Sequence, residues 1–282
     1  KRLGVFGEWE NPYRTMDFSY QAQIVREFGK IVEKGYVYRT RRAIHWCISC
    51  RTALAEAEIE YADHKSPSVY VAYPIISGLK DKNLFAVIWT TTPWTLPASM
   101  AIAFSSKNEY VVVSIDGVAG RFIMARELVS QMAAALKFGN RMKIVESISA
   151  KDLSALKAQH PWLKREISFL SAEHVTMETG TGLVHTAPGH GEEDFELGRK
   201  HGIEIYSPVE ADGRFEAGVE HFGGEKVFEA NPKIVAFLKQ SGRLIGDEIE
   251  IQHSYPHCWR CKNPVVFRAT EQWFLRLSNE NL

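Results

Sequence analysis

The chain has 282 residues, with 34 Lys and Arg against 34 Asp and Glu, 45% hydrophobic and 24% charged. This composition excludes a disordered or fibrous protein, and the length suits roughly two domains whose core needs no disulfides. Zero net charge argues against an extended nucleic-acid footprint, which needs a basic excess.

The chain starts Lys1-Arg2-Leu3-Gly4, with neither an apolar signal core nor an initiator Met, and so reads as an excised fragment. Asp17 to Lys34 is predicted to be a helix: Tyr20, Ile24, Phe28, Ile31 and Val32 share one face, Asp17 is placed to cap it and Gly35 to end it. A basic cluster follows, Arg39, Arg41 and Arg42, with Tyr36 and Tyr38 interleaved; it reads as a solvated turn or as a phosphate contact. Strand patterns come next at Val69–Tyr73, Leu84–Trp89, Tyr110–Ile115, Phe122–Met124, Ile167–Leu170 and Gly182–His185. Among apolar runs Leu84–Trp89 comes nearest to a membrane span, and it falls far short of the ~18 residues required. Short helices are expected from Arg126 to Phe138, closed by Gly139, from Glu192 to about His201, and from Asn231-Pro232 to Gly242. Ser207 to Lys226 reads as an exposed loop or hairpin. Many strands with scattered helices and no βαβ alternation predict an α+β fold, a mixed barrel-like domain from about residue 64 to 250.

All four cysteines fall into two C-x-x-C knuckles, Cys47-Ile48-Ser49-Cys50 and Cys258-Trp259-Arg260-Cys261. A two-residue gap lets two thiolates meet one tetrahedral ion at ~2.3 Å each, so the pairs together form a zinc-ribbon set of four. Residues 51–257 must then be a folded insertion whose ends lie close together. The plain alternatives are two disulfides or four buried thiols. A four-thiolate zinc site is closed and purely structural.

Two segments carry chemistry. Trp89-Thr90-Thr91-Thr92-Pro93-Trp94-Thr95-Leu96-Pro97-Ala98-Ser99 places hydroxyls at a strand end, where they could hold a water or a carbonyl. Threonine is also simply a good strand residue. Gly180-Thr181-Gly182-Leu183-Val184-His185-Thr186-Ala187-Pro188-Gly189-His190-Gly191-Glu192-Glu193-Asp194-Phe195 brings His185, His190 and Asp194 around a turn. Glu192 and Glu193 suit the start of a helix. The three remaining groups read either as a metal-hydrolase set or as a metal-free pocket in which Asp194 holds an ammonium and His185 orients a polar group.

These two segments, framed by the knuckles, resemble the editing insertion (connective peptide 1) of the bacterial-type isoleucyl-tRNA synthetase family. The resemblance covers essentially the whole chain: Gly4 to Asp17 is similar to the core just before the insertion, Cys47 to Tyr61 to its beginning, and Tyr255 to Phe274 to the return. Valyl and leucyl relatives read T-T-R-P-E/D-T at the first segment, where this chain has Thr92 and Trp94, and lack H-T-A-P-G-H-G at the second. The resemblance implies an α+β, barrel-like editing domain inserted in a zinc ribbon. The implied division is 1–43 as a helical segment flanking the catalytic core, 44–63 plus 251–268 as the zinc ribbon, 64–250 as the editing domain and 269–282 as the return toward the core.

Implied with it is hydrolysis of the ester of mischarged valyl-tRNA(Ile). Valine and isoleucine differ by one methylene, and this family is the standard example of the limited discrimination, on the order of 150-fold, that a second sieve must correct. Asp194 would bind the α-ammonium. His185 with Thr90, Thr91 and Thr92 would line the sieve and position water; Trp94, His190 and Ser99 would contact substrate. Relatives commonly carry Asn at the position of Ser99. Cys47, Cys50, Cys258 and Cys261 would hold one structural zinc, with no catalytic cofactor. The implied partners are the tRNA(Ile) 3′ end carrying valine and the rest of a longer polypeptide, in a cytoplasmic monomer with no membrane. The chain contains neither H-I-G-H nor K-M-S-K-S, the family's ATP-binding signatures, so it is expected not to activate amino acids. The alternatives are an RNA-binding zinc ribbon without activity and a zinc hydrolase built on His185, His190 and Asp194.

Overall fold

The computed structural model describes residues 4, 6–78 and 83–277. The first three residues of the expected fragment start, and 278–282 of the expected return, lie outside the described residues. The elements in order are α1 (Phe18–Glu33), β1 (Val37–Cys47), β2 (Thr52–Ala53), β3 (Ile59–Ser77), β4 (Leu84–Thr90), β5 (Ala101–Phe104), β6 (Tyr110–Ile115), β7 (Val118–Ala125) and α2 (Val129–Ala135). There follow β8 (Met142–Ile148), α3 (Ala150–Ala155), β9 (Lys157–Gln159), β10 (Glu166–Ser171), β11 (Leu183–Thr186), α4 (Glu192–Lys200), α5 (Val227–Gln240), β12 (Ile249–Cys258) and β13 (Val266–Leu275).

The chain splits into two compact units, Lys1–Arg41 with Glu271–Leu282 and Arg42–Thr270. In the first, α1 follows Asp17 and ends before Gly35, whose φ of 73° only glycine adopts freely. No residue of α1 is buried. In the second, a ten-stranded sheet runs β11-β5-β10-β9-β3-β4-β7-β6-β8, with β12 paired to β3 off that path. Its ends, β11 and β8, are not joined to each other, so among the described residues the sheet is mixed and open. The expected barrel is not closed. Most pairs are antiparallel, while β10 with β5 and β4 with β7 are parallel.

Where a strand is covered on both faces, its sequence reads as a continuous apolar run. Tyr110–Ile115 is such a case, and β6 begins and ends where predicted. β3 changes character along its length. Its first half is exposed and pairs with β12, and its second half, from Val69 to Tyr73, is buried on both faces. The core gathers Tyr73, Ile88, Leu96, Ile102, Phe104 and Tyr110, all essentially inaccessible, each large side chain contributing about 1.5–3 kcal/mol. Tyr110 also satisfies its polar end: its hydroxyl donates to Gly182 O at 2.7 Å and accepts from Ser105 N at 2.9 Å. Burial pushes this phenol up to about 12. The bond ties β6 to the turn that starts β11.

Four local expectations change. The basic cluster is not a turn but part of β1, where Arg39 pairs with Glu271, and Arg42 with Glu192 and Glu196 at 3.3 Å each. The helix expected over 126–138 is a 3-10 turn followed by α2, and Lys137, with φ 55°, stops it before Gly139. The helix α5 starts at Val227, so Pro232 lies inside it. Asn231 therefore does not cap it, and its Oδ1 instead accepts Trp94 N at 2.9 Å. Segment 207–226 is a partly exposed loop with antiparallel bridges at Val209–Phe215 and Arg214–Lys226, but Val209, Phe215, Val219 and Phe222 anchor it in the core.

Candidate active site and metal centre

Where β4 ends, Thr90 leads into a 3-10 turn over Pro93–Ala98. The Thr90 hydroxyl accepts Thr92 N at 3.1 Å and lies 3.3 Å from Thr92 Oγ1. Thr95 N donates to Thr92 O at 3.0 Å, and the Thr95 hydroxyl donates to the same oxygen at 2.9 Å. This turn makes one wall of a cavity of about 320 Å³.

The opposite wall is the glycine turn and β11. Gly182 has φ 73°, and a Cβ there would lie 2.5 Å from Ala125 Cβ, so no other residue can start this strand. His185, held on β11 opposite Ile102, places Nε2 3.1 Å from Thr95 Oγ1. The Thr95 proton is already committed to Thr92 O, so Nε2 carries the imidazole hydrogen and donates. Nδ1 is then a bare acceptor, buried and without a protein partner. Burial, helped by His190, pulls His185 down to about 4, which keeps the ring neutral.

After β11 the chain turns at Ala187–Gly191 into α4. A Cβ at Gly189 would stand 2.2 Å from Tyr206 O, so this turn too depends on glycine. Asp194, in the first turn of α4, folds back so that its Oδ2 accepts Ala187 N at 2.9 Å. The carboxylate lines the cavity. Burial pushes it up to about 6, while the Ala187 N–H and the His174 imidazole pull the other way. A partly buried carboxylate with one protein hydrogen bond, open to the cavity, is a suitable site for a cationic group.

Thr90, Thr91, Thr92, His185, His190 and Asp194 all line this cavity. Trp94 and Ser99 do not. Trp94 is 3% exposed, edge-on to His190 at 5.1 Å, and Ser99 is fully buried, its Oγ accepting from Tyr73 Oη at 3.1 Å. Thr95, His174 and Glu193 also line the cavity and were not singled out from sequence. Thr95 sits in the quoted threonine segment, where its i, i+3 spacing from Thr92 was the available signal. For His174, a lone histidine between two strand patterns, there was none.

The four cysteines are free thiols whose sulfurs all lie within 4.8 Å of one another, with Cys47 Sγ 3.5 Å from Cys261 Sγ. Sulfurs at ~2.3 Å from one tetrahedral ion stand about 3.8 Å apart, so this set fits a metal ion. Burial pushes Cys47 up to about 12. At Cys261 burial also acts upward, but the Asn263 backbone N–H and the neighbouring thiols bring it down to about 7. Among the described residues no other group of three or more His, Cys, Asp or Glu ligand atoms converges in this way. His185, His190 and Asp194 share a cavity without forming a metal-ligand set. No helix among the described residues is long and apolar enough to cross a membrane.

A family model described as tRNA synthetases class I (I, L, M and V) matches residues 1–281. An isoleucine–tRNA ligase of Nitratidesulfovibrio vulgaris (strain DP4) is 48% identical over 290 residues, covering 100% of this chain and 30% of that protein. Those of Brachyspira hyodysenteriae (47%, 100% and 31%) and Aquifex aeolicus (45%, 99% and 31%) are similar. The chain thus spans about a third of the length of these relatives. Among solved structures, the crystal structure of GlLeuRS-CP1 shares the fold at a TM-score of 0.51 and 15% identity, covering 63% of this chain and 97% of that one.

Proposed function

This chain belongs to the class I tRNA synthetases of the I, L, M and V group, and from that premise we propose that its cavity hydrolyses the ester of valyl-tRNA(Ile) as the editing site of an isoleucine–tRNA ligase. The observation that carries the reading is the partly buried Asp194 carboxylate sharing one small cavity with a neutral His185 and a threonine wall. In this reading Asp194 holds the substrate's α-ammonium. His185 Nδ1 accepts a hydrogen from the attacking water or a ribose hydroxyl, and the Thr90–Thr92 hydroxyls orient the ester. Water adds to the carbonyl carbon, the acyl–oxygen bond breaks, and valine leaves with a free tRNA 3′ end. An activated ester needs little beyond an oriented water and a polarised carbonyl. Residues 64–250 form the editing domain, and 44–63 with 251–268 the ribbon in which Cys47, Cys50, Cys258 and Cys261 hold one structural zinc. The tRNA acceptor end and the remainder of a synthetase, acting as a cytoplasmic monomer, are the partners.

The test is deacylation of valyl- and isoleucyl-tRNA(Ile) in parallel. One methylene is worth about 10- to 200-fold in such a pocket, so the valyl ester is expected to be hydrolysed faster by at least tenfold. Equal rates would refute the sieve, and no hydrolysis of either ester would favour the ribbon as an inactive RNA-binding module.

A further inference from the structure

The Pro93–Ala98 turn closes with Ser99 N donating to Leu96 O at 2.9 Å, and the carbonyl groups at this end of the turn take side-chain donors as well. Three of them, at Leu96, Pro97 and Ser99, are held by two side chains from the 160–165 loop that joins β9 to β10. His160 Nδ1 accepts the backbone N–H groups of Trp162 at 3.3 Å and Leu163 at 3.1 Å. Its Nε2 therefore carries the hydrogen and donates to Leu96 O at 2.8 Å. Arg165 Nη1 donates to Pro97 O and to Ser99 O at 2.9 Å each, with the guanidinium 5.1 Å over the Tyr206 ring. The loop is itself anchored, because Trp162 packs edge-on against Phe222 at 5.9 Å and Phe237 at 5.8 Å.

At the other end of the turn, Asn231 holds Trp94 N. Between these clamped ends sits Thr95, whose hydroxyl is the acceptor for His185 Nε2. Neither His160 nor Arg165 lines the cavity; their hydrogen bonds reach it through the turn, beside a Coulombic influence between His160 and His185. Burial is the largest influence on His160 and, against the Leu96 carbonyl, pulls it down to about 3, so the imidazole is neutral near neutral pH.

We propose that His160 and Arg165 are positioning residues that set the separation of the Thr95 wall from β11, and so determine which aminoacyl group is hydrolysed. The role in selection rests on the editing reading above; the role in placing Thr95 against His185 does not. Two carbonyls held by one guanidinium fix the end of the turn in direction as well as in distance, which a single point donor cannot do equally well.

The experiment compares Arg165→Met, Arg165→Lys and a core control, Leu153→Ala, in the full-length protein. Arg165→Met is expected to lower the preference for the valyl over the isoleucyl ester by about tenfold or more, since sub-ångström to ångström displacements in such sites cost up to ~100-fold. Arg165→Lys, a point donor that cannot hold both carbonyls in direction, is expected to lose part of the preference, less than the Met variant, and serves if the Met variant does not fold. The imidazole Nε2–H resonance of His185 should shift in Arg165→Met. Leu153 is fully buried and outside the cavity, so Leu153→Ala should lower the melting temperature and leave both the preference and the resonance unmoved. An unchanged preference with an unmoved His185 resonance would overturn the proposal. So would an equal loss of preference in Leu153→Ala, which would reduce the clamp to general stability. If the wild-type protein shows no preference for the valyl ester, the editing reading fails, and the His185 resonance alone decides whether the clamp positions the turn.

Discussion

The Thr95 hydroxyl and the His185 imidazole are joined at 3.1 Å, and Thr95 has already donated its proton to Thr92 O at 2.9 Å. One hydroxyl thus assigns the tautomer of a buried histidine 90 residues further along the chain. It also leaves Nδ1 as the acceptor available to a ligand.

This relationship predicts the effect of Thr95→Val. The buried Nε2–H would lose its acceptor, at a cost of about 1–3 kcal/mol. Urea unfolding should show that loss, whereas Thr95→Ser should remain close to wild type. A Val variant as stable as wild type would mean that the hydrogen bond contributes nothing.

Activity should depend on the ionised form of Asp194. Burial holds this group near 6, so kcat/KM for the valyl ester is expected to fall as pH drops through about 6, with a slope of one proton. His185, lowered to about 4, stays neutral across that limb and cannot cause it. Asp194→Asn should lack the limb and lose about 10- to 100-fold in activity, the value of a charge-assisted hydrogen bond. A limb that survives in the Asn variant would assign it to another group.

Stability should move in the opposite direction. A carboxyl raised from 3.8 to about 6 favours the folded state below its unfolded value, and that contribution is lost as pH rises through the folded value. At pH 8 the protein therefore bears the cost of burying a charge, and Asp194→Asn is expected to be more stable by on the order of 2–3 kcal/mol. At pH 3 the difference should nearly vanish. Denaturation at both pH values checks this, and a pH-independent difference would exclude the linkage.

The cysteine set should bind one metal ion per chain. Cys258→Ser is expected to reduce bound zinc, measured by elemental analysis, and to lower the melting temperature, because metal binding free energy is folding free energy at such sites. Chelation should lower the wild-type melting temperature and leave that of the variant little changed. Full zinc content in Cys258→Ser would place the ion elsewhere.

Strands buried on both faces were legible in the sequence because their apolar runs needed no knowledge of a partner. Tyr110–Ile115 and Leu84–Trp89 are the clearest cases. The α4 helix was legible from its acidic first turn and from Gly202. Among the half-exposed strands β10 was legible, at Ile167–Leu170, but β1 and the first half of β3 were not. In β1 the arginines give no apolar pattern, and they find their place only where carboxylates from α4 and β13 face Arg42 and Arg39. In β3, Pro67 and Pro74 lie within ladders, opposite Glu250 and Phe85, positions where proline is uncommon. The start of α5 was misplaced because Asn231 has a cap's composition but a partner, Trp94, 137 residues distant.

The sequence by itself marked groups that the fold brings into one cavity and the two cysteine pairs that meet. Two C-x-x-C knuckles, a threonine run and a glycine-framed histidine and aspartate are local patterns, set by spacing along the backbone. Only the tertiary structure decided how those groups are poised. The partial burial of Asp194, the tautomer of His185, the withdrawal of Ser99 and Trp94 from the cavity lining and the hydrogen bonds of His160 and Arg165 depend on contacts between elements that local sequence does not bring together. Desolvation and hydrogen-bond geometry arise where elements pack together, so no local pattern encodes them.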